Sequence, residues 1–334
     1  MKKIYMLDYI RAISCILIML YHYTTRFFDS YYNLGYENNH IGVWWGCYAV
    51  AVFFILSGFL TVYNLRDEQP KNFIIKRAVR LYPSYWIGII FTTCVTLIFS
   101  IDKFIGIIPT LINFTMLQGF IPGMSNVDGV YWTLRYELQF YVIIAFIMVI
   151  KQTKKIDIIC MIWILISIIN NYLESVIGNG IVIKMLSFLF MTERAAPFII
   201  GVAIAGIIKF KIKSVSCINL MLASVSMCGK NIIYIVPIII TTVLIFTSIK
   251  VNLKFKYDKP LVFLAGISYE VYLIHQVFGY RVFYICKEQL YINTYILIIP
   301  MMCISIGVAY LINRCAAKMT MLIKNSSIYN RITA

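Results

Sequence analysis

Charge is scarce in this sequence. Only 13% of its 334 residues are Asp, Glu, Lys or Arg, about half the share of a soluble domain. Acids are the rarer sign, 14 against 30 bases. With 61% apolar residues and a mean hydropathy of +0.83, no soluble fold of this length could bury its hydrocarbon, and the bilayer has to act as solvent. Histidine is nearly absent: His22, His40 and His275 are too scattered for a metal motif. None of the nine cysteines forms a CxxC pair and most sit inside apolar runs. They read as small buried apolar residues and not as a zinc or disulfide set. No small-residue cleavage site follows the first apolar stretch, which begins at Met6 and contains Arg11, so it is expected to be a retained span. Internal repeats, low-complexity tracts and soluble segments are also missing. One membrane domain over residues 1–334, with no appended soluble domain, is the expectation.

What is present is a series of apolar runs. A spanning helix needs about 20 mostly apolar residues, and ten runs qualify: 7–24, 43–63, 80–99, 130–150, 156–172, 194–208, 215–229, 231–249, 261–280 and 292–313. The predicted fold class is an all-α integral membrane protein of about ten transmembrane helices, both termini cytoplasmic. The break at Gly229 and Lys230 is the weakest, and one long bent helix there would leave nine spans. The net charge of +16 reflects topology and not nucleic-acid binding, because membrane proteins collect Lys and Arg in cytoplasmic segments. With the N-terminus inside, 21 of the 30 bases fall in inner segments and 7 in outer ones, while Arg11 and Arg135 lie within spans. Segment 100–129, with Pro109, Asn113, Gly119, Pro122, Gly123 and Gly129, breaks the helical rhythm. It is expected outside as a cap that folds back on the membrane, and 173–193 is a second external segment of that kind.

Ionisable groups inside spans are costly and mark function. Arg11 and His22 lie eleven steps apart on the first span, which at 100° per residue leaves them about 20° apart on one face and about 16 Å apart along the axis. Taken alone, Arg11 reads as a snorkelling anchor and His22 as an interhelical hydrogen-bond partner. Glu137, seven residues into the fourth span, changes that reading. An in-membrane carboxylate needs a partner, and a histidine at similar depth supplies one. A carboxylate that orients an imidazole is the usual build of a general base. Arg135 is nearby, but its two-residue offset turns it to another helix face. Arg77 and Arg80 are i, i+3 neighbours, with Lys76 beside them. Two adjacent guanidinium groups suit a phosphate-bearing ligand, and positive-inside anchoring explains them equally well. Ser57-Gly58-Phe59 allows close helix approach at Gly58. Ser268-Tyr269 with His275 is a further polar cluster, although a histidine so placed is more often a satisfied interior group.

The set resembles the membrane-bound acyltransferase-3 family, of the O-antigen and polysaccharide O-acetyltransferase type. The matching residues are Leu7-Asp8-Tyr9-Ile10-Arg11 through His22, then Phe53 to Leu60 around Ser57-Gly58. Next come Arg77-Ala78-Val79-Arg80 with Tyr82-Pro83, Asn113-Phe114-Thr115-Met116-Leu117, and Tyr131-Trp132-Thr133-Leu134 with Glu137, Phe140 and Tyr141. Arg194 with Pro197-Phe198 and Gly201 follows, and Ile267-Ser268-Tyr269 with Tyr272-Leu273-Ile274-His275 completes the series. Arg135-Tyr136 departs from the family pattern. The resemblance implies transfer of an acyl group, usually acetyl from cytoplasmic acetyl-CoA, to an outward-facing glycan hydroxyl. The acyl-CoA would be a co-substrate, with no permanently bound cofactor and no metal, and the setting would be the inner (plasma) membrane with its lipid. On that reading Arg11, Arg77 and Arg80 hold the donor, His22 and Glu137 deprotonate the acceptor or relay the acyl group, and Ser57, Tyr141, Arg194, Ser268 and His275 are further candidates. The rival reading is a transporter or flippase of a glycan or lipid precursor using His22 and Glu137 as proton-relay groups. That class favours two related halves with broken helices, which the sequence does not display. A glycan polymerase is the third reading, and would be expected to carry a large hydrophilic outer loop.

The 21 to 7 split of bases predicts the topology. Reporter fusions after Lys151 and after Ala334 should read cytoplasmic and one near Asn126 external. A cytoplasmic signal at Asn126 would overturn the layout.

Overall fold

A computed structural model describes residues 4–30, 42–65, 68–99, 101–178, 180–209, 214–229, 231–251 and 253–333. Of the bases used to read topology, Lys2, Lys3, Arg66, Lys211, Lys213 and Lys230 lie outside these residues. The described residues are helical and contain no strand. They form α1 (Tyr5–Ser30), α2 (Trp44–Tyr63), α3 (Pro70–Phe99), the short α4 (Ile107–Asn113), α5 (Gly129–Val149), α6 (Thr153–Ile177), α7 (Ile181–Phe190), α8 (Ala195–Lys209), α9 (Ser214–Cys228), α10 (Ile232–Ile249), α11 (Lys259–Glu288) and α12 (Thr294–Asn325). Among the described residues nine helices are long and apolar enough to cross a membrane, α7 and α8 counting as one run over Ile181–Lys209, and α9 is a shorter apolar helix. The chain is a multi-pass membrane protein.

Several helices outrun the apolar windows that predicted them, for local reasons. Pro70 opens α3 ten residues before the expected start, since proline at the first helical position needs no hydrogen-bond donor. Arg77 and Arg80 therefore sit inside a helix. Pro83, in the middle of α3, cannot donate to the carbonyl of Val79, and the Thr320 hydroxyl approaches that carbonyl at 3.5 Å. At the weak break, α9 ends and a new helix starts. Asn231 has an extended backbone (φ −162°) and its side chain accepts from the Ile233 N–H, a helix N-cap that separates the two. The stretch 173–193, read as an external segment, contains the end of α6 and all of α7, joined to α8 through Met191 in the left-handed region (φ 41°).

The chain divides into two compact units. The first comprises 1–10, 48–74 and 136–254. Its central contact is α2 against α8. The Phe198 carbonyl occupies the space a Cβ on Gly58 would need, and the Ile55 carbonyl does the same at Gly201. Two glycines thus bring the backbones to van der Waals contact, the small-residue packing that holds helices together where lipid removes the hydrophobic drive. A larger residue at either position would cost about 1–3 kcal/mol of overpacking. Phe198 also stacks on Phe54 and on Phe140, both at 4.6 Å between ring centroids. On α6 the buried residues Ile156, Cys160, Trp163, Ile164, Ser167 and Asn170 form one stripe of helical period. The other side shows Ile158, Ile162, Leu165 and Ile169, the apolar outward face that lipid permits and water does not. Trp163 Nε1 donates to the Phe190 carbonyl at 2.7 Å, and Asn170 Nδ2 to Ser187 at 2.8 Å, which fastens α7.

The second unit comprises 11–47, 75–135 and 255–334. Segment 100–129, read as a cap, is tied down over its described residues by side-chain bonds. Asn113 is fully buried, donates from Nδ2 to the Pro109 and Ser125 carbonyls and accepts the Val127 N–H on Oδ1. Trp86 and Tyr82 of α3 donate to the Phe114 and Thr115 carbonyls at 2.9 and 2.8 Å. The exposed Ile107, Ile108 and Leu111 leave α4 with an apolar outer face.

Candidate functional site

The second unit brings together two of the three histidines. α1 is α-helical from Tyr5 to Tyr21 and then widens into a π turn over His22–Arg26, closed by the Phe27 N–H on the His22 carbonyl. Such turns are rare and concentrate at functional sites. This one buries four successive residues, His22, Tyr23, Thr24 and Thr25, where a regular amphipathic stripe would turn some of them outward. His22 Nδ1 lies 3.2 Å from the Tyr280 hydroxyl of α11. The His275 ring stands edge-on to that of His22, 4.9 Å between centroids and 84° between planes.

His275 has its tautomer fixed by main chain. Its Nδ1 sits 3.0 Å from the Val271 carbonyl and 2.9 Å from the Tyr272 carbonyl. Carbonyl oxygens only accept, so Nδ1 carries the proton and Nε2 is a bare acceptor. That Nε2 is buried and has no hydrogen-bond partner. Tyr23 holds the backbone of His275: its hydroxyl donates to the His275 carbonyl at 2.9 Å and accepts from Ser305 at 3.0 Å. The Tyr23 ring fits because Gly279 has no Cβ.

Asp128 anchors this cluster at the start of α5. One carboxylate oxygen accepts the Val130 N–H and the other the Val277 N–H, both at 3.1 Å. The Tyr272 hydroxyl adds a bond to Thr133 at 2.9 Å. Asp128 is fully buried, and burial pushes its carboxyl up to about 7, against the opposing pull of the two N–H donors and the Arg281 guanidinium.

The remaining residues singled out in the sequence distribute as follows. Arg11, half-buried on α1, and Arg77 and Arg80, half-buried and exposed on one stretch of α3, belong to the second unit with His22, His275 and Ser268. The Ser268 hydroxyl donates to the Ala265 carbonyl of its own helix at 2.9 Å, as a packing hydroxyl does. Glu137, Tyr141, Ser57 and Arg194 belong to the first unit. There the Tyr141 hydroxyl donates to Glu137 at 2.5 Å and lies 3.3 Å from the Ser57 hydroxyl. With its proton committed to the carboxylate, the phenol oxygen is the acceptor toward Ser57, a directional chain from serine through tyrosine to glutamate. Arg135 belongs to the second unit, where its guanidinium lies over the Phe120 ring at 5.3 Å. Two participants escaped the sequence reading. Tyr280 carries no spacing signal relative to His22, because they meet only through tertiary packing. Glu270 of α11 is the other. It is a buried carboxylate in its own right, accepting from Ser84 at 2.6 Å and Asn313 at 3.1 Å. Its signal was its being one of few acids within an apolar run. Among the described residues no group of three His, Cys, Asp or Glu is placed to hold a metal ion.

Comparison with known proteins gives concordant matches. The family model described as "Acyltransferase domain" matches residues 4–314. Nodulation protein 10 of Rhizobium leguminosarum bv. viciae is 29% identical over 32% of this chain and 34% of its own length. Exopolysaccharide production protein ExoZ of Rhizobium meliloti (strain 1021) is 29% identical over 30% of this chain and 33% of its own length. The chain thus spans about a third of the length of these curated relatives. No solved structure matches significantly.

The raised Asp128 carboxyl makes a prediction about stability. Its ordinary value is 3.8, and an acid with a higher value folded than unfolded binds more protons in the folded state. The stability it contributes is complete below about pH 4 and is lost as pH rises through about 7. Thermal unfolding in detergent should show wild type losing stability relative to Asp128→Asn across that window and running parallel to it above about pH 8. Parallel curves throughout would remove the assignment.

Proposed function

The chain belongs to the acyltransferase-3 family, and on that premise we propose that it transfers an acyl group, acetyl from acetyl-CoA, to a hydroxyl of a cell-envelope glycan at the inner membrane. The match across residues 4–314 carries the reading, since it spans every residue to which the sequence assigns a role. The glycan is supported by a relative whose name places it in exopolysaccharide production. Acyl-CoA enters as co-substrate from the cytoplasm, where the charge pattern puts Arg77 and Arg80. Their guanidinium groups bind the donor phosphates, and Arg11 guides the donor along α1.

His22 is the general base. Its Nδ1 faces the Tyr280 hydroxyl, which can accept the Nδ1 proton and so leave Nε2 unprotonated for the acceptor. The hydroxyl oxygen attacks the thioester carbonyl as His22 takes the hydroxyl proton. The C–O bond forms, the C–S bond breaks, and the proton passes to the departing thiolate. Glu137, whose carboxylate accepts from Tyr141, is the second residue assigned a catalytic role.

Three variants test this in membranes at matched protein levels. His22→Ala should abolish transfer, general base catalysis being worth about 10²–10⁴-fold. Arg77→Ala with Arg80→Ala should raise the donor KM at least tenfold, each charge-assisted bond contributing about 1.5–3 kcal/mol, and Glu137→Gln should lose much of kcat. Near-normal transfer by His22→Ala would rule out the base assignment, and an unchanged KM in the double variant would leave the arginines as topogenic charges.

A further inference from the structure

The His22 site contains a second imidazole whose chemistry the proposed reaction leaves unused. His275 is completely buried, yet its Nε2 has no hydrogen-bond partner. Leaving a polar atom unpaired in an apolar interior is costly, and a catalytic role is one of the reasons such an atom is kept. The state that would use this one follows from the tautomer. Nδ1–H is committed to the Val271 and Tyr272 carbonyls, so Nε2 can act only as an acceptor until it is itself protonated. What it needs is an N–H or O–H donor, arriving from the side of the cluster it faces.

His22 supplies that donor once the reaction begins. Neutral imidazole has one N–H, and in the tautomer the proposed reaction uses, His22 carries it on Nδ1, facing the Tyr280 hydroxyl. After His22 has taken the acceptor's proton, both ring nitrogens are donors, and a second acceptor is required. The ring centroids of His22 and His275 are 4.9 Å apart. Two imidazoles joined by one N–H···N bond with a donor–acceptor distance of ~2.9 Å have centroids about 5 Å apart, so reorientation of the His22 ring is enough to make the bond. The surroundings fix the pair without competing for it. Tyr23 holds the backbone of His275 and is itself occupied by Ser305, and both carboxylate oxygens of Asp128 are bound by main-chain N–H groups. The other charged side chain acting on His22 is Arg26, a cation that cannot accept.

We propose that His275 is a positioning residue of this site, its bare Nε2 accepting a hydrogen bond from His22 whenever His22 carries the proton taken from the acyl acceptor. No bond is made to substrate by His275: the proton stays on His22 until the thiolate removes it, and His275 returns to its unpartnered state. The inference rests on the reading of His22 as the base of acyl transfer.

The test compares His275→Leu, which has no acceptor, with His275→Gln, whose amide oxygen restores one, alongside His22→Ala in the same membranes. Thermal unfolding in detergent establishes matched folded protein. His275→Leu should lower kcat about 10–100-fold, the range seen where an outer partner of a metal-bound imidazole is removed, with the donor KM unchanged. The acid limb of its kcat–pH profile should move to lower pH, because the protonated His22 has lost a stabilising acceptor. The ionisable groups facing the pair, Tyr21, Tyr23, Tyr272, Tyr280, Arg26 and Asp128, are unchanged in both variants. His275→Gln should recover at least a third of the wild-type kcat. If His275→Leu keeps kcat within twofold with an unmoved acid limb, or if His275→Gln is no better than His275→Leu, His275 is a packing residue and the inference is wrong. Active His22→Ala would instead overturn the base assignment beneath it, so the two failures are read from different variants.

Discussion

Every polar group in a membrane-spanning helix has to find its partner inside the protein, because the surrounding hydrocarbon offers none. The polar bonds of both units are placed accordingly. In the first unit, Asn170, Trp163 and Gln139 reach carbonyls or hydroxyls on α7 and the turn after it. In the second, Asp128, Tyr272 and Thr133 bind the start of α5 to α11, and Ser84 and Asn313 converge on Glu270. Interhelical bonds of this kind average only about 0.6 kcal/mol each, so they specify which helices meet more than they stabilise the whole. Close packing supplies the rest, most clearly at Gly58 and Gly201, where only hydrogen fits.

His275 Nε2 departs from that rule, because it is buried and has no hydrogen-bond partner beside the His22 ring. The π turn at His22 has the same character. A regular helix would be more stable locally, and the widened turn exists because it carries His22 and Tyr23 together toward α11. Both departures from ordinary packing fall within one side-chain cluster, as expected when a site is maintained at some expense of stability.

The helices were largely legible in the sequence because lipid makes long apolar runs obligatory, and charge scarcity left few positions for anything else. Helix ends were less legible. The start of α3 depends on Pro70 and the division at Asn231 on a single capping side chain, neither of which a hydropathy window registers. His22, Arg11, Arg77 and Arg80 were found because a charge in an apolar run is conspicuous. Tyr280 was not found, because a tyrosine in such a run is unremarkable until its hydroxyl is seen beside His22 Nδ1 at 3.2 Å. Arg11 and His22 would share one face of a regular helix, but the regular helix ends at Tyr21 and His22 opens the π turn. The bond from Tyr141 to Glu137 joins residues four apart on α5 and was readable from spacing.

The central claim is that this protein consumes acyl-CoA through a buried imidazole. Reconstituted in proteoliposomes with radiolabelled acetyl-CoA and a polysaccharide acceptor, the wild-type chain should move label onto the acceptor and release one free thiol per acyl group transferred. The His22→Ala chain should do neither. Movement of a glycan or lipid precursor across the bilayer with no thiol released would contradict the account and identify a transporter.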